Sequence, residues 1–145
     1  TRYIGDWSSD VCSSDLCYAG KLEKVYKGVR DTLLHNWDLL KDANKETMVS
    51  LLNDMISEFK TDCDKRNAPK LFRIHWDGDF FSDEYAYAWK TVINNNLDVQ
   101  FWVYTRVPTA AIILNNIDNL SLYFSTDSEN TQHAKNLNVL GIKLA

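Results

Sequence analysis

Leu71 to Ser82 reads LFRIHWDGDFFS, and its alternation decides the fold class. In an extended strand every second side chain shares a face, which sets Arg73, His75 and Asp77 against Phe72, Ile74 and Trp76. One face is apolar, the other is ionisable, and Gly78 between two aspartates ends the run. A parallel strand buried on both faces reads as a nearly continuous apolar run. The departure here predicts a polar face that lines a cavity.

The pattern returns twice. In VQFWVYTR, Val99, Phe101, Val103 and Thr105 oppose Gln100, Trp102, Tyr104 and Arg106; in LSLYFSTD, Leu120, Leu122 and Phe124 oppose Ser121, Tyr123, Ser125 and Asp127. Helical spacing fills the intervals. Ser82 is an N-cap for a stripe of Tyr85, Trp89, Val92 and Ile93 that stops at Asn94-Asn95-Asn96. Pro108 suits the first turn of a helix carrying Ala111, Leu114 and Ile117. Asp127 or Ser128 caps a further helix to about Leu137, and Gly141 opens a last strand, Ile142 to Ala145. Strand and helix alternate, which predicts right-handed parallel β/α units. Ligands of such sheets sit beyond the carboxyl ends of the strands. Here those ends carry Asp77-Gly78-Asp79, Thr105-Arg106 and Ser125-Thr126-Asp127.

Upstream, Lys21 to Lys60 has helical spacing throughout. One stripe holds Leu22, Val25, Tyr26, Val29, Leu33, Trp37 and Leu40; after an Asn44 cap, a second holds Met48, Leu51, Leu52, Met55, Ile56 and Phe59. Both are read as core. Cys63 and Lys65-Arg66 are assigned to a polar connection ending at Pro69.

Gly5 to Leu16, GDWSSDVCSSDL, has no apolar period and no capping logic. Trp7 to Leu16 matches the translation of a common sequencing-library adapter. Residues 1–16 are therefore expected to be an artefact, disordered against one domain from 17 to 145. Setting aside Arg2, Asp6, Asp10 and Asp15 moves the net charge from -4 to -2, no electrostatic footprint for nucleic acid or an anionic membrane. No apolar run reaches the roughly 18 residues of a bilayer span. About 129 residues build one core but not a closed eight-unit barrel, which takes about 250. The two remaining cysteines, Cys17 and Cys63, form no disulfide framework, which fits a cytoplasmic protein.

Cys17-Tyr18-Ala19 before a long helix, then FRIHWDGDFFSDEYAYAW (Phe72 to Trp89) and FWVYTR (Phe101 to Arg106), resemble the phage-associated gene product 88 domain family. That family is similar in turn to radical S-adenosylmethionine (SAM) proteins. The resemblance implies an α/β fold, a partial (β/α) barrel of parallel strands with helices outside, here truncated at both ends. It implies a [4Fe-4S] cluster and SAM as cofactors, a phage protein and hence the host cytoplasm. Three thiolates leave one iron open to SAM, whose reductive cleavage yields a carbon radical. On this reading Cys17 is the last of the three metal-ligating cysteines. Gly78 and Asp79 receive the amino group of SAM, with Asp79 standing where those enzymes carry Glu, and Ser125 lies near the ribose.

The residue types carry their own expectations. Arg73, Arg106 and Lys143 suit an anionic group, and Trp102 and Tyr104 suit stacking on a base. Arg73, His75 and Arg106 are the catalytic candidates, around a small-molecule or nucleotide-like substrate. Each has a plainer role: Arg73 and Asp77 as an ion pair, His75 as a satisfied core histidine, the aromatic rings as filling. A rival reading makes His75, Asp77, Asp79 and Asp127 the ligands of a hydrolytic metal ion. A third is a non-catalytic barrel that binds a nucleotide or a protein.

Overall fold

In the computed structural model, which describes residues 26–75 and 78–145, the three alternating segments pair as neighbours. Two helices come first, α1 (Lys27–Leu40) and α2 (Lys45–Arg66). Then follow β1 (Leu71–Arg73), α3 (Asp83–Asn95), β2 (Gln100–Thr105), α4 (Pro108–Ile113), β3 (Leu120–Phe124), α5 (Thr131–Val139) and β4 (Lys143–Leu144). The four strands are parallel, in the order β1-β2-β3-β4.

Register turns each strand's alternation into a property of the sheet. Phe72 lies beside Phe101 and Phe101 beside Leu120; Val103 pairs with Leu122 and Thr105 with Phe124. This face is buried under the helices, where Trp89 of α3 meets Phe72 and Phe101 at ring separations of 6.1 and 6.2 Å. On the other face Arg73 lies beside Trp102 and Trp102 beside Ser121, while Tyr104 pairs with Tyr123 and Tyr123 with Lys143. Among the described residues nothing covers that face: Tyr104 is 41% exposed and Leu71 58%.

The helices start where their caps stand. The Ser82 hydroxyl accepts the Tyr85 N–H at 3.1 Å, and Asp83 and Glu84 complement the helix dipole in the first turn of α3. Asn44 caps α2 by accepting the Thr47 N–H at 2.9 Å, and Asn67, at φ 51°, ends it in the left-handed conformation. Met48, Leu52 and Ile56 of α2 are buried, and Phe59 meets Phe72 edge-on at 5.1 Å. The loop from α3 to β2 is closed by amides. Asn119, 8% exposed, donates to the carbonyls of Ile93, Asn96 and Val99 at 3.0 to 3.1 Å, and Asn96 donates to Asn53 Oδ1 and to the Val92 carbonyl.

Several expectations are corrected. The α/β class and the parallel sheet hold, but the barrel is not shown: among the described residues β1 pairs only with β2 and β4 only with β3, so the sheet is open. β1 ends at Arg73 because the chain bends at Ile74, where the Arg73 Nε donates to the His75 carbonyl at 2.7 Å. The predicted strand face of Arg73, His75 and Asp77 therefore stops at its first member. α2 runs on to Arg66, so Cys63, Lys65 and Arg66 are helical rather than part of a connection. Cys63, 6% exposed, extends the stripe of Ile56 and Phe59 by one more turn. α5 begins at Thr131, since Asp127 caps a turn instead of the helix.

Candidate ligand-binding site at the carboxyl ends of the strands

Asp79 organises the site. Gly78, at φ 74°, takes a conformation that favours glycine and turns the chain so that the Asp79 carboxylate, 3% exposed, enters the protein. Its Oδ1 accepts the Phe80 N–H at 2.8 Å and the Thr105 hydroxyl at 2.5 Å, and its Oδ2 accepts the Arg106 N–H at 2.6 Å. The Thr105 oxygen in turn accepts the Val107 N–H at 3.0 Å. A buried carboxylate is tolerated when charge-assisted hydrogen bonds replace its water. Here those bonds tie the loop after β1 to the end of β2 and fix the backbone that carries Arg106.

The Arg106 guanidinium reaches the end of β3 and pairs with Asp127. Asp127 Oδ1 also accepts the N–H groups of Glu129 and Asn130 at 2.9 and 3.0 Å. Asn130 answers by accepting the Asp127 N–H and donating to the Ser125 carbonyl, both at 2.9 Å. Partial burial raises the Asp127 carboxyl, but the Arg106 hydrogen bond and the two backbone donors outweigh it and hold the group below the usual carboxylate range.

The uncovered face leads up to this pair. Trp102 stands edge-on to Tyr104 at 5.8 Å, and Tyr104 stacks on Tyr123 at 5.3 Å. The Arg73 guanidinium lies 4.9 Å from the Trp102 ring centre, and the Lys143 ammonium 5.8 Å from that of Tyr123. Both are cation–π distances. The paired residues of this face include no acidic side chain.

The candidates read from the sequence divide accordingly. Gly78, Asp79, Arg106 and Ser125 meet at the carboxyl ends, with Tyr104 and Arg73 on the open face beside them. His75 goes elsewhere. It is 4% exposed, packs on Phe80 and Tyr85 at 4.6 and 5.8 Å, and its Nε2 lies 3.1 Å from the Tyr85 hydroxyl. Burial first, and the charge of Arg73 second, push its pKa down to about 3, so the ring is neutral at ordinary pH. Cys17, Asp77 and Trp76 lie outside the described residues. Sequence reasoning placed Thr105 at a strand end without assigning it a role, and missed Asn130. The three-residue spacing of Asp127 and Asn130 was the available signal, since such pairs close a turn through their side chains.

A cleft of about 580 Å³ lies away from this network, between α2 and Phe72, lined by Met55, Glu58, Phe59, Asp62 and Arg66. Among the described residues, it contains none of the predicted site residues and touches β1 only at Phe72. The strand ends are the better candidate, because the polar groups converge there.

Both oxygens of Asp79, expected to receive the amino group of SAM, accept hydrogen bonds from the fold. Cys63 is buried in α2, and among the described residues no three His, Cys, Asp or Glu side chains come together as metal ligands. Of the residues read as ligands of a hydrolytic metal, His75 is turned into the core, Asp79 is bonded to backbone and Asp127 is paired with Arg106, while Asp77 lies outside the described residues. No described helix is long and apolar enough to cross a membrane.

Comparison with known proteins supports the first half of the sequence resemblance and gives no support to the wider likeness to radical SAM proteins. The gene 88 protein of Mycobacterium phage L5 is 59% identical over 132 residues, covering 90% of this chain and 55% of the relative. The gene 88 protein of Mycobacterium phage D29 is 58% identical over 132 residues with the same coverage. The chain thus spans about half the length of the curated relatives it matches. No solved structure matches. The family model described as Gene product 88 matches residues 6–142, reaching into the segment read as adapter. On that match and these identities, the chain belongs to the Gene product 88 family.

Proposed function

We propose that the chain binds a planar, anion-bearing ligand of nucleotide type on the open face of its sheet and acts in the host cytoplasm. The single observation that supports this is the row of Trp102, Tyr104 and Tyr123, flanked by Arg73 and Lys143 and leading to Arg106. Aromatic rings offer a base a stacking surface, cations offer its anionic part a partner, and the strand-paired residues of the face include no carboxylate to repel it. The strand ends, to which this face leads, are also where parallel α/β sheets hold ligands. SAM is one ligand of this class, and its cluster-bound form rests on Cys17.

The test is a titration of the chain with AMP and adenosine, followed by tryptophan fluorescence and calorimetry. Saturable binding is expected, and Tyr104→Ala should weaken it by 1–3 kcal/mol, roughly 5- to 150-fold, as for one stacked base. Absence of saturable binding by either compound, with the protein folded, overturns the proposal.

A further inference from the structure

We infer that Arg106 is the phosphate-recognising residue of this site and that Asp127 is its resting counter-ion, displaced when a nucleotide phosphate arrives. The inference rests on the binding reading above and adds what the anionic end of the ligand is and where it sits.

Three observations carry it. First, Arg106 is preorganised. Its N–H is held by Asp79 at 2.6 Å and its neighbour Thr105 by the same carboxylate at 2.5 Å, so the side chain leaves a fixed backbone while 40% of it remains in solvent. A guanidinium offers five donors in a planar fork suited to phosphate, more than one carboxylate oxygen engages. Second, the pair can part at low cost. Asp127 meets Arg106 through Oδ2, while Oδ1 is kept by the N–H groups of Glu129 and Asn130. A carboxylate that loses Arg106 therefore keeps two donors, and half-exposed pairs are weak in any case. Third, the charged group follows the rings. Arg106 stands two residues after Tyr104, just past the end of β2, so an anionic group there continues from the stacking surface. Arg73 and Lys143 lie over the rings of Trp102 and Tyr123, on the base side of the site.

The experiment compares adenosine, AMP and pyrophosphate on the unaltered chain and on three variants. AMP should bind more tightly than adenosine. Arg106→Gln should reduce AMP affinity by about 10- to 100-fold, to the level of adenosine, without changing adenosine binding. Arg106→Lys, which keeps the charge but not the fork, should recover part of the loss. Asp127→Asn keeps an oxygen for the Glu129 and Asn130 donors and removes the competing charge. It should tighten AMP and pyrophosphate by about 2- to 5-fold and leave adenosine unchanged. Adenosine binding with no added affinity from phosphate, or weaker AMP binding in Asp127→Asn, overturns this assignment alone. Failure of both adenosine and AMP to bind overturns the binding reading with it. Melting temperatures of the variants within a few degrees of the unaltered chain exclude misfolding as the cause.

Discussion

Mild acid should destabilise this protein through His75. In the folded state the ring is buried between Phe80 and Tyr85, near the charge of Arg73, and its pKa falls to about 3 from 6.5. The unfolded chain therefore takes up a proton near pH 6.5 that the folded chain refuses until about pH 3. Stability is complete above the unfolded value and is lost as pH falls between the two. Linkage gives a loss of about 2 kcal/mol between pH 7.5 and 5, and about 3 kcal/mol by pH 4. The assay is urea unfolding at pH 7.5, 6 and 5 for the unaltered chain and for His75→Phe. Phenylalanine retains the ring contacts and cannot titrate, but it loses the hydrogen bond between His75 and the Tyr85 hydroxyl, 3.1 Å long, at about 1 kcal/mol. The variant should thus be the less stable protein at pH 7.5 and the more stable one at pH 5, the two curves crossing near pH 6, by about the same arithmetic. Contributions from carboxylates common to both proteins cancel in the difference. Parallel curves over this range would refute the claim that His75 is held neutral by burial.

Three further outcomes test the framework of the fold. Asp79→Asn replaces an acceptor with a donor facing the Arg106 or Thr105 donors, and should cost about 2 to 4 kcal/mol in thermal unfolding and abolish any phosphate preference of the site. Asn119→Ala leaves the carbonyls of Ile93, Asn96 and Val99 without their shared donor, and should cost about 2 to 3 kcal/mol in urea unfolding. Ser82→Ala should cost about 1 kcal/mol, recoverable in Ser82→Asp, because only the cap on the Tyr85 N–H is removed.

Side-chain period carried most of the fold into the sequence. Because β2 and β3 alternate over five or six residues and pair without offset in polarity, their faces were legible before any coordinate. The caps at Ser82 and Asn44 were legible for the same local reason. Beyond Arg73 the pattern misled, because LFRIHWD alternates in sequence while the chain bends at Ile74. Alternation reports a strand only while the backbone stays extended, and the local bond from Arg73 Nε to the His75 carbonyl, two residues on, leaves no trace in the polarity pattern. The site was legible as a place, at the strand ends, and less so as chemistry. Asp79 is a ligand candidate by composition alone; it becomes a brace only when Thr105 and Arg106, separated from it by 26 and 27 residues, arrive beside it.

The Asn119 amide also imposes an order on biosynthesis. The end of α3 and the entry to β2 are made first, and the carbonyls of Ile93, Asn96 and Val99 then await a donor 20 to 26 residues further along the chain. At 5–20 residues per second, that interval lasts roughly one to five seconds. During it the emerging α3–β2 segment lacks the clasp that sets its turn, and Phe101 and Val103 have no β3 beside them. Translation rate across codons 97 to 119 thus bears on yield: a pause there prolongs exposure of an apolar half-sheet, whereas swift passage delivers the clasp and the covering strand together, Asn119 being the residue immediately before β3.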